Sequence, residues 1–356
     1  MVRTERRVVS PADDREHGGG DPVAVLGAGA WGTALALALA RNGARVRLWS
    51  HRPEHAGRMA ADGENRDHLA GCPLPSGITP TSSLAEAVDG AAWTLIAVPS
   101  HAFQSLVSAL AAQRGSAGNA LERVAWATKG LDATSGGLLH QVIEAAWGGT
   151  PSMAVLSGPS FAREVAEGRP TAVAVATNDP EFGELLVAAL HQERFRVYTS
   201  ADLVGVELGG AVKNVLAVAT GICDGLELGA NARAALITRG LAEISRLGRA
   251  LDADPLTFTG LAGVGDLILT CTDNQSRNRR FGLAIGAGGT VDAALESVGS
   301  TVEAVRTARE LHALAAEVGV EMPICETVHR VLEGELDARG AVELLLLREP
   351  KAEFDD

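Results

Sequence analysis

The run Gly209-Gly210-Ala211-Val212-Lys213-Asn214-Val215-Leu216-Ala217 places one cation inside an apolar helical stretch. Such an ammonium either snorkels to water or sits in a cleft with a partner, because an unpaired buried charge is unfavourable. Burial would lower its pKa and make it a usable proton donor and acceptor. Asn214 beside it and the glycines before it favour the cleft. A second lysine closes the apolar run in Trp126-Ala127-Thr128-Lys129-Gly130. If that run is a strand, Lys129 stands at the carboxyl edge of a sheet, where open α/β folds bind ligands; on position alone a surface turn is an equal reading. Further on, Gly265-Asp266-Leu267-Ile268-Leu269-Thr270 reads as an apolar turn bearing an acid. It leads into Asp273-Asn274-Gln275-Ser276-Arg277-Asn278-Arg279-Arg280. Arg277 offers a planar fork that matches a phosphate. Arg279 and Arg280 read better as a basic helix start.

A second group of residues points to a dinucleotide. Gly27-Ala28-Gly29-Ala30-Trp31-Gly32 follows the apolar run Val23–Leu26 and precedes a helical stretch from Thr33. In that context Gly27 permits a tight turn, Gly29 lets backbone approach a pyrophosphate, and Gly32 lets helix pack on strand. The helix start then presents N–H groups to the phosphates. After the next apolar run, Val46–Trp49, come Ser50-His51-Arg52, with no acid until Glu54. An acid there would accept from a ribose 2′-hydroxyl, whereas Arg52 pairs with a 2′-phosphate. The cofactor expected is therefore NADP(H), with NAD(H) left open.

The elements that must position these residues alternate through the first part of the chain. Short apolar runs at Val23–Leu26, Val46–Trp49, Leu95–Val98, Val124–Ala127, Ala154–Leu156, Val173–Ala176 and Arg196–Tyr198 read as buried strands. Helical stretches such as Thr33–Arg41 and Ser100–Ala112 separate them, the pattern of βαβ units. Beyond about residue 200 only helical spacing remains, at Leu203–Gly221, Ala232–Leu251, Asn278–Ile285, Val302–Val318 and Thr327–Glu333. The fold class expected is α/β: an N-terminal Rossmann-type doubly wound sheet, then an all-helical C-terminal domain. The divisions read are a disordered leader (1–20), a dinucleotide domain (21–200), a helical substrate domain (201–347) and a charged tail (348–356).

Composition narrows the partners. The 356 residues carry 31 Lys and Arg against 44 Asp and Glu, a net charge of −13, which argues against nucleic acid. An anionic substrate must then meet a local basic cluster. Cys72, Cys223, Cys271 and Cys325 form no CxxC pair, so neither a disulfide framework nor a zinc site is expected, and a reducing cytoplasm fits. Val23–Ala40 is uncharged behind a basic start, but its three glycines argue against a membrane anchor.

The segments GAGAWGTALA, VPSH, WATKG, SGPSFA, GGAVKNV, NARAALITRG and GVGDLILTCTDNQSRNRRFG together resemble the bacterial NAD(P)-dependent glycerol-3-phosphate dehydrogenases, from about Val23 to Glu333. The resemblance implies reduction of dihydroxyacetone phosphate to sn-glycerol 3-phosphate for phospholipid synthesis. It also implies a homodimer, with the site between the two domains and no metal. By the same resemblance Lys213 is the proton-transfer lysine, acting with Asp266 and Lys129. Substrate contacts fall to Lys129, Gly158, Ser160, Lys213, Asp266, Ser276, Arg277 and Asn278, with Asn214 and Thr270 lining the pocket. Cofactor contacts fall to Ala30, Trp31, His51, Arg52, Lys129, Ala162, Arg277, Thr301 and Glu303, beside the glycine loop. Two rivals stand beside this reading. A hydroxyacid or sugar-acid dehydrogenase of the same architecture would set a carboxylate opposite the arginine. A non-catalytic dinucleotide sensor would have no use for Lys213, Lys129 and Asp266 together.

Overall fold

The β-branched and aliphatic runs of the first two hundred residues pair into one eight-stranded sheet. Its strands are β1 (Val23–Leu26), β2 (Val46–Trp49), β3 (Ile78–Thr81), β4 (Trp93–Ile96), β5 (Arg123–Trp126), β6 (Ser152–Ser157), β7 (Thr171–Thr177) and β8 (Phe195–Ser200). This computed structural model describes residues 21–114, 121–299, 302–349 and 352–353. The expected leader (1–20), Thr301 and most of the expected tail lie outside the described residues.

The spatial order is β3-β2-β1-β4-β5-β6-β7-β8. Neighbours run parallel except β6 with β7, which are antiparallel. The chain moves outward from β1 to β3 and then returns to place β4 on the other side of β1. That reversal opens a crevice at the carboxyl ends of β1 and β4, the usual ligand position in such sheets. One expected strand needs correction, and one strand was not expected. The run expected at Leu95–Val98 is β4 two residues earlier, and Ala97 and Val98 beyond it lie against Gly27 of the glycine loop. β3 was not expected: its Ile-Thr-Pro-Thr sequence carries a proline, which an edge strand tolerates.

Helices α1 (Ala30–Arg41), α2 (Pro53–Asp62), α3 (Arg66–Leu69), α4 (Leu84–Val88), α5 (Ser100–Ala111), α6 (Leu139–Trp147), α7 (Ala162–Ala166) and α8 (Pro180–Leu190) accompany the sheet. Alternation along β1 sends Val23 and Val25 into one apolar layer and Ala24 and Leu26 into the other, so both faces are covered.

After Ser200 the structure is helical: α9 (Leu203–Gly225), α10 (Gly229–Ala250), α11 (Asp266–Thr272), α12 (Arg277–Gly286), α13 (Val291–Val298), α14 (Glu303–Glu317), α15 (Pro323–Leu332) and α16 (Ala338–Leu346). α9 is the axis of a third core, buried on every side from Gly205 to Cys223. Among the described residues it is the one helix long and apolar enough to cross a bilayer, and 89% of its apolar window is buried inside the protein. Its apolarity is accounted for by that core. α12 lies against it backbone to backbone: a Cβ on Gly282 would come within 2.2 Å of Val218 O, and one on Gly221 within 2.2 Å of Arg279 O. That contact brings the start of α12 beside the middle of α9.

Candidate active site

At the crevice, the glycine loop divides its labour. Gly27 adopts φ +121°, and a side chain there would meet Ala97 O at 2.6 Å. A Cβ on Gly32 would sit 1.9 Å from Gly27 O, so the first turn of α1 rests directly on the loop. At Gly29, by contrast, nothing lies within 4 Å of where a Cβ would be. This open space faces a helix start with no capping side chain and no acid in its first turn. Unclaimed amides, a positive helix end and room for close approach suit a pyrophosphate. The residues present therefore fit a dinucleotide. His51 and Arg52 stand exposed at the end of β2, one strand away.

Three charges from distant parts of the chain converge in the interior. Lys213, in the middle of α9, is 6% exposed, and its Nζ lies 2.6 Å from Asp266 Oδ1. Lys129, just past β5, reaches the other oxygen of the same carboxylate, with Nζ 2.7 Å from Oδ2. Lys213 also donates to Thr270 Oγ1 (3.1 Å), and Lys129 to Gly158 O (3.3 Å). Asp266 and Thr270 share one face of α11 by their spacing of four. The segment bearing Asp266, expected as a turn, is the first residue of this helix. A wide π-type turn, Leu261–Gly265, precedes it and aims the acid at α9.

Burial sets the protonation of this group. It pulls Lys213 down to about 8; Asp266 opposes the fall and Lys129 adds to it. Burial pushes Asp266 upward, but the two ammoniums outweigh it and hold the carboxyl below its ordinary range. A charged acid thus faces a lysine poised to give up a proton near neutral pH.

A second cluster adjoins the first. Asn214 Nδ2 donates to Glu303 Oε2 (3.3 Å), and Asn214 Oδ1 accepts from Asn278 Nδ2 (3.0 Å). Asn278 Oδ1 accepts from Ala304 N–H (3.2 Å), so this side chain orients Asn214 and the start of α14. Burial raises the Glu303 pKa, against the pull of Arg277, Lys213 and Lys129. Ser276 caps α12, its Oγ accepting from Arg279 N–H at 3.2 Å. Arg277 is exposed and makes no hydrogen bond or ion pair within the described residues. Its guanidinium is free for a ligand at a helix start. Arg279 is buried instead, donating to Cys271 O and pairing with Asp224, which suits the structural reading of that residue.

Among the expected site residues, Lys213, Asp266, Lys129, Thr270, Gly158 and Ser160 come together; Ser160 Oγ donates to Gly158 O at 2.9 Å. Asn214, Asn278 and Glu303 form the second cluster. Ala30, Trp31 and Ala162 begin α1 and α7, which pack together. Sequence reasoning missed Ser50, His55 and Asn65, which lie buried behind the glycine loop. No spacing rule would have joined them.

With this geometry in hand, comparison with known proteins is direct. Residues 22–183 match the family model described as NAD-dependent glycerol-3-phosphate dehydrogenase N-terminus, and residues 202–343 match that family's C-terminus. A Halorhodospira halophila protein named glycerol-3-phosphate dehydrogenase [NAD(P)+] is 60% identical over 94% of this chain and 99% of its own length. An Alkalilimnicola ehrlichii protein of the same name is 58% identical over 92% of this chain and 97% of its own. The crystal structure of glycerol-3-phosphate dehydrogenase from Coxiella burnetii superposes with a TM-score of 0.88 at 48% identity, covering 92% of this chain and 99% of that one. The chain belongs to the NAD-dependent glycerol-3-phosphate dehydrogenase family.

Proposed function

We propose a division of labour among these residues for the family's reaction, the NAD(P)H-dependent reduction of dihydroxyacetone phosphate to sn-glycerol 3-phosphate. That product supplies glycerophospholipid synthesis. When bound, the reduced nicotinamide supplies the hydride taken up by the ketone carbon. Lys213 gives a proton from Nζ to the ketone oxygen as negative charge develops there. Asp266 holds that ammonium in place and favours its charged form until transfer. Lys129, anchored on the other oxygen of Asp266, adds positive charge beside the reacting oxygen. Asn214 keeps its second amide N–H free to donate to the same oxygen, because its first is engaged by Glu303.

Away from the chemistry, Arg277 and the first-turn amides of α12 grip the phosphate. Gly158, Ser160, Ser276 and Asn278 shape that pocket, while Ala30, Trp31, His51, Arg52, Ala162 and Glu303 border the dinucleotide. In this reading residues 21–200 bind the dinucleotide and residues 201–347 hold the substrate. Arg52 at the end of β2 favours NADP(H) over NAD(H). The homodimer follows from the family resemblance. A cytoplasmic setting is supported by four cysteines that are all free and buried.

The observation that carries the proposal is the single carboxylate of Asp266 shared by Lys129 and Lys213. The test is to follow NADPH and, separately, NADH absorbance on adding dihydroxyacetone phosphate or unphosphorylated dihydroxyacetone. Oxidation of NADPH with the phosphorylated ketone, and poor turnover without the phosphate, are expected. Equal rates with the two ketones would remove the phosphate grip from the account.

A further inference from the structure

A buried relay of hydrogen bonds joins the end of β2 to the glycine loop. Arg52 N–H donates to Ser50 Oγ (3.3 Å), and Ser50 Oγ lies 2.9 Å from His55 Nδ1. On the other side of the ring, His55 Nε2 lies 3.0 Å from Asn65 Oδ1. Asn65 Nδ2 then donates to Ala28 O (2.9 Å), inside the glycine loop, and to Thr33 Oγ1 (2.7 Å), in the first turns of α1. Ser50 and His55 are each 3% exposed, and Asn65 is fully buried.

One protonation pattern satisfies every member. Asn65 turns its oxygen to the ring, since its nitrogen is spent on Ala28 and Thr33, so His55 Nε2 must carry a hydrogen. A neutral ring then accepts at Nδ1, which requires the Ser50 hydroxyl to donate there. The Ser50 oxygen is left to accept from the Arg52 amide, as observed. His68 completes the support from outside. Its ring stands edge-on to His55, with centroids 5.1 Å apart, and its Nε2 lies 3.4 Å from the Arg52 guanidinium. Burial lowers the His68 pKa and the Arg52 charge adds to the fall, which leaves that nitrogen free to accept.

We propose that Ser50, His55 and Asn65 are positioning residues that hold Arg52 and the glycine loop in one frame, and so set the preference for a cofactor bearing a 2′-phosphate. This inference rests on the reading of Arg52 as the residue that meets that phosphate. The two ends of the relay do different work. Asn65 fixes the loop that receives the pyrophosphate common to both cofactors. Ser50 fixes the backbone of Arg52, an exposed residue whose ordering would otherwise oppose binding. Breaking the relay at Ser50 frees the Arg52 amide, although the Arg52 carbonyl still accepts from His55 N–H and Ala56 N–H, while the bonds of Asn65 to Ala28 and Thr33 remain.

The test measures binding rather than turnover. Dissociation constants for NADPH and NADH are taken by fluorescence titration of the full chain carrying Ser50→Ala, Ser50→Thr, Asn65→Ala or Arg52→Ala, with thermal midpoints as a folding control. Loss of one hydrogen bond predicts that Ser50→Ala weakens NADPH binding about 5- to 10-fold and NADH binding by less than about 2-fold. Ser50→Thr, which keeps the hydroxyl, should restore the NADPH value, and Asn65→Ala should weaken both cofactors. If Asn65→Ala fails to fold, the Ser50 pair alone decides. Should Ser50→Ala weaken both cofactors alike, or neither, while Arg52→Ala lowers the NADPH preference, the relay has no part in selectivity. An Arg52→Ala protein with unchanged preference would instead overturn the reading of Arg52 itself, and this inference with it.

Discussion

Lys213 and Asp266 are separated by 53 residues of sequence, yet Nζ and Oδ1 lie 2.6 Å apart in the interior. The pair is asymmetric, because Lys129 occupies the other oxygen of Asp266. Lys213 is thus stabilised by one neighbour and destabilised by another, and its proton affinity reflects that contest.

Opposite pH shifts should follow from removing each neighbour. With Lys213 as the proposed proton donor, reduction would require its protonated form, so kcat/KM in that direction should fall as pH rises through about 8. Asp266→Asn removes the charge that raises the lysine's pKa and should move this fall to lower pH. Lys129→Met removes the charge that lowers it and should move the fall upward, each by about one pH unit or more. Profiles of kcat/KM against pH for the three proteins check this. Shifts of the same sign would detach the alkaline limb from Lys213.

The phosphate grip can be probed without deleting its charge. Arg277→Lys keeps a cation but loses the planar fork, so KM for dihydroxyacetone phosphate should rise about 10- to 100-fold. Turnover of unphosphorylated dihydroxyacetone should change little, because it has nothing to offer the arginine. Steady-state kinetics with both ketones decide the matter; a parallel loss with the two would place Arg277 elsewhere.

A buried carboxyl outside the reacting group makes stability depend on pH. Glu310 on α14 is 8% exposed, and neither of its oxygens has a hydrogen-bond partner among the described residues. Burial pushes its pKa up to about 7; Arg306 and Arg309 pull it down, and Asp132 pushes it further up. The folded protein therefore holds this proton more tightly than the unfolded chain, where the carboxyl titrates near 4.5. The associated stability is fully present below 4.5, falls as pH rises, and is lost above about 7. Glu310→Gln is neutral throughout, so its thermal midpoint should match the wild type at pH 4 and exceed it at pH 8. Calorimetry at the two pH values checks the sign; an equal offset at both would show that Glu310 is not the titrating group.

Much of this fold is legible in the sequence, for reasons visible in single elements. β1, the glycine loop and α1 are contiguous, and their periodicity and turn chemistry are local properties of Val23–Arg41. Lys213 stood out because a cation in an apolar helix needs an explanation. β3 escaped notice because Pro80 masks a strand that only its edge position permits. The sequence predicts a turn at Asp266 because the π-type turn before it has no local signature in Leu261–Gly265. The relay from Ser50 to Asn65 was illegible for another reason. Asn65 contacts Thr33 and Ala28 across 32 and 37 residues, and only tertiary packing makes those polar residues neighbours.

The account stands most directly on Lys213 as proton donor. NADPH oxidation with dihydroxyacetone phosphate should be measured for the wild type and for Lys213→Ala, together with NADPH binding by fluorescence. The expected result is a fall in kcat of about 10²- to 10⁴-fold with NADPH affinity near that of the wild type. A folded Lys213→Ala protein whose kcat stays within about tenfold of the wild type would contradict it.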